Sequence, residues 1–120
     1  MIKQVKFVGI PTRDQDRALA FWTDKMGLRV ATDQPMGGQR WIELSIPGAE
    51  TGVVLFTPDG HEDRVGTFFN GSFACDDVDY SYRQLSAKGV EFEGPPEKQP
   101  WGTFAKFKDP DGNVFVLSSR

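Results

Sequence analysis

Glu43, Lys106, His61 and Cys75 are the residues whose types and settings invite a chemical reading. Glu43 lies in RWIELSI and Lys106 in TFAKFK, each in a run where apolar and polar residues alternate. A carboxylate held on such a sheet face can serve as a general base, and an ammonium as an electrophilic partner. Both also fit the plainer role of solvated charges on a wide, wet sheet face, and both readings stand. His61 is the sole histidine and lies in the polar stretch GHEDR. One imidazole builds no metal site of distinctive spacing, so an exposed histidine is expected there. Cys75 has no cationic neighbour in the local sequence to favour a thiolate, and it reads as a buried small hydrophobe.

The elements that must position these groups occur twice. The first half runs from a strand at Val5 to Ile10 into a helix capped by Asp14, with Asp16 in its first turn. Ala18, Trp22 and Met26 form the apolar stripe, Leu19 widens it, and Gly27 supplies the left-handed stop. LRVAT resumes as a strand. RWIELSI then alternates Ile42, Leu44 and Ile46 with Trp41, Glu43 and Ser45, PGAETG reverses the chain, and VVLF follows. The second half repeats this order with TFFNGSFAC, a helix capped by Asp77 and striped by Val78, Tyr82 and Leu85, a stop at Gly89, VEF and TFAKFK. A turn at Pro110 and Gly112 leads into VFVL.

Setting Asp14 on Asp77 gives an offset of 63 residues, which also places Phe7 on Asn70 and Glu43 on Lys106. The chain thus reads as one α+β domain of two tandem βαβββ modules, 1–57 and 67–120, with a polar, glycine-bearing linker at 58–66. One helix covers one face of a module's sheet and leaves the other bare. Two modules side by side form an open, curved mixed sheet, a trough with the helices outside.

Bulk properties narrow the partners. A net charge of −3 offers nothing to phosphate backbones or anionic membranes, so no nucleic acid and no membrane are expected. No run approaches the ~18 apolar residues of a membrane helix, and the start MIKQVKFVGI lacks the apolar core of a secretion signal. A lone cysteine forms no internal disulfide and suits a reducing compartment, so a cytoplasmic protein is expected. Ten Phe and three Trp exceed the needs of one small core and point to an aromatic cavity or interface.

The stretches DQDRALAFWTDKMGL (14–28), DDVD (76–79) and DPDGN (109–113), in this order along the chain, resemble the vicinal oxygen chelate superfamily. Its members include glyoxalases, bleomycin-resistance proteins, fosfomycin-resistance enzymes and extradiol dioxygenases. The resemblance implies that metal-using members hold one divalent ion in the trough, on ligands from the first and fourth strand of each module. Carried onto this chain, those positions are Phe7, Leu55, Asn70 and Val116. Three are apolar and one is a neutral amide, where such a cation requires carboxylate, imidazole or thiolate. The expectation is a trough with neither metal nor other cofactor. The resemblance further implies a homodimer.

Strand parity assigns what lines the trough. Phe7 and Gly9 face in while Val8 and Ile10 pack under the helix, and Trp41, Glu43, Phe68, Asn70, Ser72, Phe104 and Lys106 also face in. An aromatic interior with a few polar groups is the usual form of a small-molecule site. Segments 31–40 and 94–101 are expected to be loops suited as lids, ending at Trp41 and Trp101; packing of these tryptophans at a subunit interface is the competing reading. The expected ligand-binding set is Phe7, Trp41, Glu43, Leu55, Phe68, Asn70, Trp101, Phe104, Lys106 and Val116. The function these residues suggest is metal-free binding and sequestration of a small, partly apolar or aromatic organic molecule, resembling bleomycin-resistance proteins. The alternative is a lyase, isomerase or dioxygenase of the same superfamily, metal-dependent or with Glu43 as catalytic general base.

Overall fold

Two aspartates start the two helices in the computed structural model, which describes residues 1–120. The Asp14 carboxylate accepts the Arg17 N–H and that of Asp77 the Tyr80 N–H, both at 3.0 Å. Each satisfies a backbone donor that the first helical turn leaves without a partner. The helices that follow are α1 (Gln15–Ala20) and α2 (Val78–Ala87). Beyond Ala20 the first helix widens over Phe21–Lys25, so that the Met26 N–H bonds to the Phe21 carbonyl five residues back. There the Thr23 hydroxyl donates to the Leu19 carbonyl at 2.7 Å, competing with the backbone. The wider turn buries Phe21 together with Trp22, their rings meeting edge to face at 5.2 Å. Met26, expected to complete the apolar stripe, is half-buried instead.

The chain divides into two units, Met1–Val65 and Gly66–Arg120. The first contains β1 (Phe7–Pro11), β2 (Arg29–Met36), β3 (Gln39–Ser45) and β4 (Gly52–Phe56) in the spatial order β1-β4-β3-β2, with β1 parallel to β4. Segment 31–40 is not the loop expected from sequence. Strand β2 runs on to Met36, which pairs with Gln39 across the two-residue turn Gly37–Gly38. Paired glycines meet the demand of such a turn for positive φ, and Gly37 has φ of 64°. Pro35 is tolerated because β2 is an edge strand and loses no ladder bond there. Residues 58–65 belong to the first unit rather than to a free linker. Arg13 donates to the carbonyls of Glu62 at 3.0 Å and Val65 at 2.6 Å, and Val65 is buried.

The second unit contains β5 (Asn70–Cys75), β6 (Glu91–Phe92), β7 (Glu97–Gln99), β8 (Gly102–Lys108) and β9 (Val114–Ser119). Its order is β5-β9-β8-β6, with β5 parallel to β9 and β7 also paired to β8. Segment 94–101 likewise departs from the expected lid. Gly94, Pro95 and Pro96 break the ladder because proline has no N–H to give, and pairing resumes at Glu97. Both units are therefore mixed α+β, as the repeat implies, and each sheet is open. No helix is long and apolar enough to cross a membrane.

Each helix covers one sheet face. In the second unit Phe73, Phe92, Phe107 and Phe115 form one aromatic cluster, and Tyr82 of α2 reaches Phe92 at 4.8 Å. In the first unit Ile10, Ile42, Leu44, Val53 and Leu55 are buried, as are Ala18, Phe21 and Trp22 of the helical segment. Val8 shares the parity of Ile10, yet it is 42% exposed because β1 is a sheet edge. The register corrects one assignment. Leu55 stands opposite both Ile42 and Ile10, so it faces the helix, and Val54 takes the position on the bare face. VVLF is apolar throughout, and only the cross-strand partners reveal its parity.

Leu55→Ala should therefore cost about 3 kcal/mol of stability in urea unfolding while leaving any ligand affinity of the bare face unchanged. A loss of affinity at unchanged stability would reverse the assignment of Leu55.

Candidate functional site

On the helix-free face of the first unit lie Phe7 and Gly9 of β1, Trp41 and Glu43 of β3, and Val54 and Phe56 of β4. The Phe7 and Trp41 rings meet edge to face at 5.6 Å. A Cβ on Gly9 would stand 3.0 Å from the Phe56 ring, so the missing side chain is what admits that ring. Trp41 is placed by amide side chains. The β3–β4 ladder pairs Ile42 to Leu44, and before it Gln15 reaches in from α1. Its Nε2 donates to the carbonyls of Arg40 at 2.8 Å and Leu55 at 3.0 Å, and its Oε1 accepts the Arg40 N–H at 3.1 Å. Gln39 does the same for Thr57, donating to its carbonyl and accepting its N–H. The Arg40 guanidinium grips both carboxylate oxygens of Asp33, at 3.1 and 2.9 Å, and also pairs with Asp16. The hydrogen bond from Arg40 holds the Asp33 carboxyl below its ordinary range.

On the corresponding face of the second unit a cleft of about 530 Å³ is lined by Gly66 to Ser72, Lys106, Val114 and Val116. Asn70 pairs with Val114, and Ser72 and Lys106 both stand beside Val116, so these side chains share one face. Phe68 is 59% exposed at its wall. Phe104 lies on the same face of β8 as Lys106, and Trp101, 66% exposed in the β7–β8 turn, stacks on it at 5.6 Å.

The 109–113 turn holds the cleft's wall. The Asp109 Oδ1 accepts the N–H groups of Asp111 and Asn113, and its Oδ2 accepts the Asn113 Nδ2 at 2.9 Å. The Asn113 Oδ1 in turn accepts the Gly66 N–H at 3.1 Å, which ties the turn to the segment entering the cleft. Gly66 is required at that point. Its φ is +84°, and a Cβ there would lie 2.2 Å from the Asp111 carbonyl oxygen. Burial pushes the Asp109 carboxyl above its ordinary value, against the opposing pull of its hydrogen bonds from Asn113.

Of the expected ligand-binding residues, Phe68, Asn70, Lys106 and Val116 come together in this cleft. Trp101 and Phe104 stand beside it on β8, Phe7, Trp41 and Glu43 share the bare face of the first unit, and Leu55 leaves the set. No three His, Cys, Asp or Glu side chains gather where they could hold a metal ion. His61 is exposed before a short turn at Glu62–Arg64, and Cys75 is half-buried at the end of β5. Sequence reasoning did not find Gln15, Gln39, Asn113 or Gly66, because their partners lie far along the chain. The one available signal was Asn113, which closes the DPDGN stretch.

A sequence profile of the glyoxalase/bleomycin resistance protein/dioxygenase superfamily matches residues 4–117. YetH of Bacillus subtilis (strain 168) is 41% identical over 121 residues, covering 98% of each chain. The crystal structure of TnmS3, an antibiotic binding protein from Streptomyces sp. CB03234, superposes with a TM-score of 0.88 at 34% identity, covering 98% of this chain and 96% of that one. A superfamily member from Sphaerobacter thermophilus DSM 20745 gives the same TM-score of 0.88 and 34% identity, covering 99% and 98%.

Gly66→Ala should destabilise the protein by about 3 kcal/mol, since no rotation of a methyl relieves the contact with Asp111. Denaturant unfolding measures this, and a neutral substitution would show that the turn does not hold the cleft's wall. The two perturbed aspartates act with opposite signs on the pH dependence. Asp109, raised in the folded state, contributes stability that is complete below its unfolded pKa of about 3.9 and is lost as pH rises through its folded pKa. Asp33, lowered by Arg40, contributes stability present above about 3.9 and lost as pH falls through its folded pKa. Asp33→Asn should therefore flatten the acid limb of the unfolding profile.

Proposed function

Since the chain belongs to the glyoxalase/bleomycin resistance protein/dioxygenase superfamily, we propose that it binds a small, partly apolar or aromatic organic molecule and holds it without transforming it. The cleft of the second unit carries this reading. Its volume of about 530 Å³ suits a drug-sized ligand, and its wall joins an exposed phenylalanine to a few placed polar groups. The likeness to TnmS3, described as an antibiotic binding protein and matched over nearly the whole of both chains, supports a binding role. The binding residues in this reading are Phe68, Asn70, Lys106 and Val116 at the cleft, with Trp101 and Phe104 beside them. Phe7, Trp41 and Glu43 serve on the face of the first unit, where Val54 replaces Leu55.

The reading requires no metal, because its donor chemistry is wrong for one. The corrected first- and fourth-strand positions are Phe7, Val54, Asn70 and Val116, which offer one neutral amide oxygen among apolar groups. Glu43 acts as a polar contact rather than a base. A cytoplasmic homodimer is the form in which we propose that the protein works.

Native mass spectrometry of untagged protein taken from cells tests this directly. The expected spectrum is the chain mass plus an organic adduct, in amounts that fall when Phe68 or Lys106 is replaced. A stoichiometric divalent-metal adduct would overturn the metal-free reading. Turnover of the recovered compound, abolished by Glu43→Ala with binding kept, would overturn sequestration in favour of catalysis.

A further inference from the structure

We propose that the cleft of the second unit takes an aromatic molecule bearing an acidic group, a carboxylate or phenolate, with the anion on Lys106 and Glu93 limiting the strength of that preference. The inference rests on the binding reading above and narrows it to a ligand class.

Among the residues lining the cleft, Lys106 alone carries a charge. Asn70 and Ser72 lie on the same face, both exposed, and can complete hydrogen bonds to an oxyanion. Phe68 gives a flat apolar wall, and the Trp101–Phe104 stack begins two residues away along β8, about 7 Å. A planar ring with one acidic substituent meets both requirements at that spacing.

The lysines of β8 differ in what holds them. Lys108 is paired with Glu91 at 3.5 Å, whereas the Lys106 ammonium takes neither an ion pair nor a hydrogen bond. Its cross-strand neighbour is Glu93, placed there by continuation of the β6–β8 register and by the bond from its N–H to the Lys106 carbonyl at 2.9 Å. Glu93 is exposed, and its carboxylate competes with a bound anion for the same ammonium. Glu97 stands opposite Phe104 and repels an anion placed further along the strand, so the acidic end of the ligand is directed to Lys106. Because these charges are solvated, the selectivity is modest and depends on salt.

Calorimetric titration of the full chain with 2-naphthoate, 2-naphthamide and 2-naphthylmethylammonium tests the class. The carboxylate should bind about three- to fivefold more tightly than the amide at low salt, and the cation most weakly. Lys106→Gln should equalise carboxylate and amide without moving the thermal midpoint, because its side chain is exposed. Glu93→Gln should tighten the carboxylate alone. Equal binding of carboxylate and amide, or tightest binding of the cation, overturns the inference and leaves the small-molecule reading intact. Failure of all three to bind overturns the inference, and a native spectrum without an organic adduct would then remove the binding reading as well.

Discussion

The buried amide of Asn113 is the contact on which the second unit and its cleft depend. It is fully enclosed, gives its Nδ2 hydrogen to Asp109, and takes the Gly66 N–H on its oxygen. Asp109 is itself buried, a costly place for a carboxylate, and three donors aimed at its two oxygens offset much of that cost. The network works as one piece. Without the Asn113 amide the carboxylate would lose one of its three donors, the only one on its Oδ2, and the stretch that forms the cleft's wall would lose its tie to the turn between β8 and β9. The lack of a side chain at Gly66 then has a clear reason, for the backbone of Asp111 occupies that space.

The first unit fixes its bare face by different means. Where β3 and β4 part, Gln15 and Gln39 supply the hydrogen bonds that a longer ladder would have made, and Trp41 stands just past that junction. An amide suits the task because it donates and accepts in one plane, as a peptide group does. The two units thus keep one order of elements while their bare faces differ in chemistry. Glu43 and Lys106 hold equivalent places in the repeat with opposite charge. Across the ladder Glu43 meets a neutral residue, Thr32, and Lys106 meets Glu93.

Much of this was legible in the sequence, and the failures follow a pattern. Asp14, Asp77, Gly27 and Gly89 mark helix ends through local chemistry, and all four act as local rules require. The alternation in β3 and β8 set side-chain parity correctly because polar residues interrupt the apolar ones. In β4 nothing interrupts VVLF, and the assignment slipped by one residue, from Val54 to Leu55. Segments 31–40 and 94–101 look like loops by composition, yet pairing makes nearly all of the first segment strand and gives the second the short strand Glu97–Gln99 against β8. The amide bridges escaped notice for a simpler reason. Gln15 bonds across 25 and 40 residues and Asn113 across 47, and no local pattern encodes such partners.

A fold that hosts many chemistries constrains function only through the groups on its bare faces. Here the positions at which the resemblance implies metal ligands carry Phe7, Val54, Asn70 and Val116, and in the proposed binding role a ligand would be gripped by apolar contact and by single charges rather than by coordination. Single solvated charges select weakly, by factors of a few, whereas buried aromatic contact supplies most of the affinity without reading fine chemical detail. That balance suits a protein that must retain a class of molecules more than one that must distinguish a single substrate. In that role the ties at Gly66 and Asn113 matter because they set the shape of the cleft's wall. With so little directional bonding to the proposed ligand, selectivity would rest on that shape together with the charge of Lys106.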